Sequence, residues 1–201
     1  MEFASRLPMN HSFRKINMAT SNMRILSIDV EYVATSYTRE DRSPCSVAVI
    51  DDKCLRIKDL EEAPSLEEAL QKLHSLFDSI IIIVAQRPKH DIKWLKLEKG
   101  VHYSVIIDLI FLFSFNFSSL VHEAWTLLNI DLNAKSGHLA IEDAKATMQL
   151  YMKYKDNKNG KQDARHRLLN TRPRMTPAKA CNYNYEGAWL AGFFKQTCTR
   201  N

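Results

Sequence analysis

The feature that most constrains this chain is the run Arg24-Ile-Leu-Ser-Ile-Asp-Val-Glu-Tyr-Val33, an apolar stretch with two carboxylates near its end. In an extended strand successive side chains alternate faces, so residues two apart share a face. Asp29 and Glu31 therefore lie side by side on a strand otherwise built for burial. Two acids held that close repel unless a cation lies between them, and hard divalent cations such as Mg²⁺ take carboxylate oxygens. On this run alone the alternative is an edge strand with two solvated acids, and the rest of the chain must decide.

The other elements follow in order. Residues 34–44 are polar and read as a loop, and Cys45 to Ile50 reads as a second strand ending at the turn Asp51-Asp52. Leu55-Arg-Ile57 offers a short third strand. Ser65 with Glu68 three residues later makes a capping box for a helix over 65–78, with Leu66, Leu70, Leu73 and Phe77 on one face. Ile80 to Ala85 is continuously apolar, as a strand covered on both sides is. A short helix with Ile92, Trp94 and Leu95 follows Pro88, then a strand over Tyr103 to Ile107. Ser118 or Ser119 caps a helix with Leu120, Ala124, Leu127 and Leu128 inward; 129–137 is a loop closed by Gly137. The last strong helix spans 139–154, with Ala140, Ala144, Thr147 or Met148, and Tyr151 on one face. Strands first, then strands alternating with helices, predict an α/β three-layer domain with helices flanking a central sheet.

Composition sets the limits. The 201 residues suit one globular domain, and no apolar run reaches the length of a membrane span. The expected organisation is a disordered segment over 1–22, a domain over 23–155 and a basic, flexible tail over 156–201. The start resembles a mitochondrial transit peptide only weakly. Four scattered cysteines form no C-x-x-C pair, which favours a reducing, intracellular compartment. From Met152 to Asn201 there are 11 Lys+Arg against 3 Asp+Glu, whereas residues 1–151 carry 17 against 20. Lys153, Lys155, Lys158, Lys161, Arg165, Arg167, Arg172 and Arg174 suit a polyanion, a nuclear address or simply water. The apolar Gly187 to Phe194 could dock on the domain, meet a partner or stay exposed.

Three more residues join the acid pair. Asp91 opens the short helix after the central strand, His138 ends the loop after Gly137, and Asp143 lies five residues further on, in the last helix. At 3.6 residues per turn, a histidine just before that helix and an acid in its second turn can face one cavity. Four acids and a histidine are the set needed for two-metal phosphodiester cleavage, in which two cations clamp the attacking and leaving oxygens and a histidine takes a proton from water.

The order and spacing, Asp29-x-Glu31, then His90-Asp91-x-x-x-Leu95, then His138-x-Ala-x-x-Asp143-Ala-x-Ala-Thr147, resemble the DEDDh (DnaQ-like) 3′–5′ exonucleases, and within them the small eukaryotic RNA exonucleases. Asp29-Val-Glu-Tyr-Val33, Asp59 to Glu68, Ile106 to Asp108 and Ala124 to Leu128 add to the resemblance, which covers about residues 24–154. It implies an RNase H-like three-layer fold with a mixed sheet. It also implies that Asp29, Glu31 and Asp143 hold two Mg²⁺ ions, or Mn²⁺ in their place, that Asp91 completes the metal site partly through water, and that His138 is the general base. Tyr32 and Val33 would lie near the terminal nucleotide, and Trp94 either stacks on a base or belongs to the core. His90 and His102 receive no role. The implied partner is the 3′ end of single-stranded RNA, or DNA, and the implied location is nuclear or cytoplasmic. Ala85-Gln86 departs from the family's Gly-His, and only about a dozen residues separate Ile50 from Pro64 where the family has more. That shortening leaves one rival in play, a catalytically impaired nucleic-acid-binding module, and the apolar Trp189 to Phe194 leaves another, an interaction protein without metal dependence.

Overall fold

The computed structural model describes residues 23–35, 42–52, 65–113, 119–133 and 139–172, with the backbone of 190–191 and 196–197. Four strands form one sheet in the order β2-β1-β3-β4. They are β1 (Ile25–Ala34), β2 (Arg42–Asp51), β3 (Ile82–Ala85) and β4 (Val105–Asp108). β1 pairs antiparallel with β2 and parallel with β3, and β3 pairs parallel with β4, so the sheet is mixed, as expected. The antiparallel ladder is interrupted between Glu31 and Tyr32, where the register jumps from Ser46 to Pro44. β2 thus starts at Arg42, inside the expected loop. Its proline is tolerated because it lies beside a bulge on what is, among the described residues, an edge strand. The possible strand over 55–57 lies outside the described residues.

Alternation along β1 divides the core. Leu26, Ile28 and Val30 face a cluster with Val49, Ile83 and Ala85, closed by Leu70, Leu73 and Phe77 of the first helical segment and by Leu95. That segment holds α1 (Leu66–His74), shorter than expected and followed by turns. The Ser65 hydroxyl accepts from the Glu68 amide as a cap should, and Leu66 stays exposed. On the opposite face Ile25 packs with Ala48, Ile50, Val84, Ala144, Met148 and Tyr151. The last three come from α5 (Ala140–Tyr154), whose inward face is the one its periodicity predicts.

The remaining helices are short. α2 (Lys89–Trp94) follows β3, and α3 (Leu109–Leu112) is capped by the Asp108 carboxylate, which accepts from the Ile110 amide. α4 (Leu120–Glu123), capped by Ser119, runs into a wider π turn over Ala124–Leu128 that ends at Asn129 in the left-handed conformation.

The expected flexible tail begins instead with α6 (Lys158–Asn170). Its sequence is strongly polar, yet Ala164 and Leu168, one turn apart, are fully buried in the α5-side core. Polar contacts fix the rest. His122 reaches the Leu168 carbonyl at 3.1 Å through Nε2 and the Thr126 hydroxyl at 3.3 Å through Nδ1. Arg167 donates to the Thr126 carbonyl, and Lys153 donates to the Leu127 carbonyl at 2.8 Å. Arg167, expected in the tail, and Lys153 of α5 therefore satisfy carbonyls at the end of the π turn. Near the C-terminus, β5 (Leu190–Ala191), in the apolar run left open by the sequence, pairs antiparallel with β6 (Gln196–Thr197), just past it. No helix among the described residues is long and apolar enough to cross a membrane.

Candidate active site

Before the bulge, the odd residues of β1 point toward α5. Ser27 comes first, fully buried, and its hydroxyl donates to the Ala144 carbonyl at 2.7 Å. This joins the middle of β1 to the second turn of α5, next to Asp143. Asp29 and Glu31 follow on the same face. Asp143 is 8% exposed and projects from α5 toward them. One carboxylate oxygen from each of Asp29, Glu31 and Asp143 lies within 4.8 Å of the other two. The alternative of two acids solvated on an edge strand does not hold, because β1 lies between β2 and β3.

Electrostatics bring in Asp91. Burial pushes the Asp29 carboxyl well above the usual carboxylate range, and the charges of Asp143, Asp91 and Glu31 push it further. Asp91 is raised to about 7, chiefly by burial and then by Glu31. Four carboxyls from a strand and two helices thus share one corner, where the other three oppose the charge of Asp29 and Glu31 opposes that of Asp91. A divalent cation reverses that balance, and three oxygens this close match the donor set that hard cations take. The residues therefore fit a metal site. His138 lies outside the described residues. Leu139, the next residue, is the extended N-cap of α5.

Past the bulge Tyr32 is exposed. Its ring packs on Trp94 with centroids 4.6 Å apart, Trp94 packs on His90 at 5.3 Å, and the Arg42 guanidinium lies 4.7 Å over the Tyr32 ring. Trp94 is thus a half-exposed member of a surface stack rather than a core tryptophan. Val33 is 42% exposed beyond it. Sequence reasoning missed Ser27, Arg42 and His90. The spacing Ser27-x-Asp29 was a usable signal for the first, since alternation places both on one face. Arg42 and His90 had none, because their meeting depends on the bulge and on the placement of α2.

Comparison with solved structures agrees with this architecture. The catalytic unit of Pan2 from Neurospora crassa, comprising protease and nuclease domains, superposes with a TM-score of 0.56 at 18% identity, over 74% of this chain and 30% of that one. The Saccharomyces cerevisiae Pan2 pseudoubiquitin hydrolase–RNA exonuclease module in complex with AAGGA RNA gives 0.60 at 16% identity, over 81% of this chain and 33% of that one. The fold is RNase H-like. A further structure of the yeast PAN2 pseudoubiquitin-hydrolase–RNase module gives 0.51 at 15% identity, over 80% and 32%. The chain thus spans about a third of the length of these RNase H-like neighbours. No protein-family model and no curated protein matches it.

Proposed function

We propose that this chain is a metal-dependent 3′–5′ exonuclease that hydrolyses single-stranded nucleic acid, RNA in preference, to nucleoside 5′-monophosphates. The observation that carries the reading is the meeting of Asp29, Glu31 and Asp143 within 4.8 Å at the end of β1, with Asp91 coupled to the same cluster. Asp29, Glu31 and Asp143 would hold Mg²⁺, or Mn²⁺ in its place, and Asp91 would complete the shell. Such a pair of cations supplies charge stabilisation at the attacking and leaving oxygens of the phosphoryl group.

The chain's own residues do the rest. His138, placed by the sequence just before the helix of Asp143, takes a proton from the attacking water. The water oxygen adds to phosphorus, the bond to the 3′ oxygen of the preceding nucleotide breaks, and that oxygen leaves as an alkoxide that takes a proton from solvent to become the 3′ hydroxyl of the shortened strand. Tyr32, Val33 and Trp94 hold the terminal nucleotide, the rings offering a face to its base. Preference for RNA is supported by the RNA bound in the yeast Pan2 neighbours. An intracellular site of action, nuclear or cytoplasmic, accords with the scattered cysteines.

The test is digestion of a 5′-labelled single-stranded RNA with Mg²⁺ or Mn²⁺, with EDTA, and by Asp29→Asn and His138→Ala variants. Metal-dependent shortening from the 3′ end is expected. It should be abolished by Asp29→Asn and slowed about 10²- to 10⁴-fold by His138→Ala. A folded wild type that binds RNA without turnover would instead establish the impaired binding module.

A further inference from the structure

We infer that the groove beside α2 is a second subsite, which takes the phosphodiester backbone of the strand upstream of the bond being cut. This inference rests on the exonuclease reading for its direction, and on separate residues for its substance.

The groove has a volume of about 590 Å³ and lies where Arg87, Lys89 and His90 meet Asp108, over Ile92. It sits at the carboxyl ends of β3 and β4, the side of the sheet on which β1 ends in its acid pair. Crevices outside the carboxyl ends of parallel strands are where such sheets receive ligands. Arg87, Lys89 and His90 are all exposed. The lining has one acid, Asp108. One oxygen of Asp108 accepts from the backbone amides of Arg87 and Ile110, each at 3.1 Å. The lining keeps an excess of cationic side chains, Arg87 and Lys89 against Asp108. The surrounding segment strengthens it: residues 87–99 carry Arg87, Lys89, Lys93, Lys96 and Lys99, all exposed, against Asp91 and Glu98.

His90 joins this groove to the acid site. It lines the groove and stacks on Trp94, which stacks on Tyr32 at the end of β1. Its neighbour Asp91 feels the charge of Glu31. A row of rings thus leads from the acids to a cationic cleft. A ligand with regularly spaced negative charges and flat apolar faces fits that sequence of surfaces, and single-stranded nucleic acid is such a ligand. A lone nucleotide would occupy the rings and leave the cleft unused.

The experiment measures binding of a 5′-labelled eight-nucleotide strand and of a dinucleotide, in EDTA, over a range of NaCl. It compares wild type with Arg87→Gln/Lys89→Gln and with the control Lys96→Gln/Lys99→Gln. The groove pair should weaken octamer binding about 10-fold and lower the salt slope by about 1.4, the single-strand value for two lost phosphate contacts. Dinucleotide binding should not change, and the control pair should cost less than the groove pair. Equal losses in the two pairs, equal losses for octamer and dinucleotide, or no octamer binding by wild type would each overturn the inference. Hydrolysis of a p-nitrophenyl ester of a nucleoside 5′-monophosphate, too short to reach the groove, separates the two readings. If wild type does not cleave it while octamer affinity still depends on Arg87 and Lys89, the exonuclease reading fails and the groove stands.

Discussion

The Ser27 hydroxyl donates a 2.7 Å hydrogen bond to the carbonyl of Ala144, a contact that spans 117 positions of sequence and lies wholly in the interior. It binds the strand of Asp29 to the helix of Asp143, two residues before the first acid and one after the second. Removing the hydroxyl leaves a helical carbonyl in place, so Ser27→Ala should cost about 0.5–1.5 kcal/mol, read from urea unfolding. Because the contact sets the spacing of two acids, Mg²⁺ affinity by calorimetry should fall as well. A loss of stability with unchanged affinity would make Ser27 a packing residue only.

Asp29 carries the strongest opposition to its own charge, from burial and from three acids. Asp29→Asn should therefore stabilise the metal-free protein, by about 1 kcal/mol, while removing the rise in melting temperature that Mg²⁺ gives wild type. Destabilisation in EDTA would show that the acids are not held in mutual repulsion.

The same cluster dictates a pH dependence. Asp91 sits at about 7 in the folded chain against 3.8 for an ordinary aspartate, so the native state holds its proton more tightly than the unfolded state. That contribution is fully present below the unfolded value and is lost as pH rises through about 7. In EDTA the melting temperature should fall as pH rises across this window, and Asp91→Asn should flatten the fall. Saturating Mg²⁺ should offset it, the cation taking over from the proton. A slope that Asp91→Asn leaves unchanged would assign the effect to other groups.

Trp94 lies between Tyr32 and His90 in the exposed stack. Base–aromatic stacking is worth about 1–3 kcal/mol per base, so Trp94→Ala should weaken single-strand binding roughly 10-fold or more. Trp94→Phe should restore most of it. Fluorescence anisotropy with a labelled oligonucleotide in EDTA reads this without turnover, and equal affinity for all three proteins would remove the stack from the binding surface.

Leu168 is 2% exposed on a helix whose sequence is otherwise polar. If α6 belongs to the folded unit, Leu168→Ala should cost about 2–5 kcal/mol, as a buried leucine does. Leu169→Ala, one position round the helix and 56% exposed, should be close to neutral. Similar small effects at both positions would return this segment to the tail.

The elements with strong periodicity were legible. The strand over 24–33, the continuous apolar run before Ala85 and the inward face of α5 all declare themselves by spacing. α6 did not, because two buried side chains in thirteen residues make no apolar stripe, and His122 and Arg167 hold it by polar contacts to carbonyls. The edge of β2 was misread for a similar reason. A proline is admissible in a strand beside a bulge, and a bulge is a property of two paired strands rather than of either one.

For the site, the sequence by itself determined the chemistry on offer. Asp29 and Glu31 had to share a face because a strand has period two, and Asp143 had to sit on the helix face that also carries Ala140, Thr147 and Leu150. Only the tertiary structure decided which acids meet and how strongly each opposes the other's charge, since field strength depends on distance and burial. It alone placed Arg42, Tyr32, Trp94 and His90 in one stack, from three separate segments. Alternation and helical turn are local properties written along the chain, whereas proximity between segments is settled by how the sheet and helices close on their shared core.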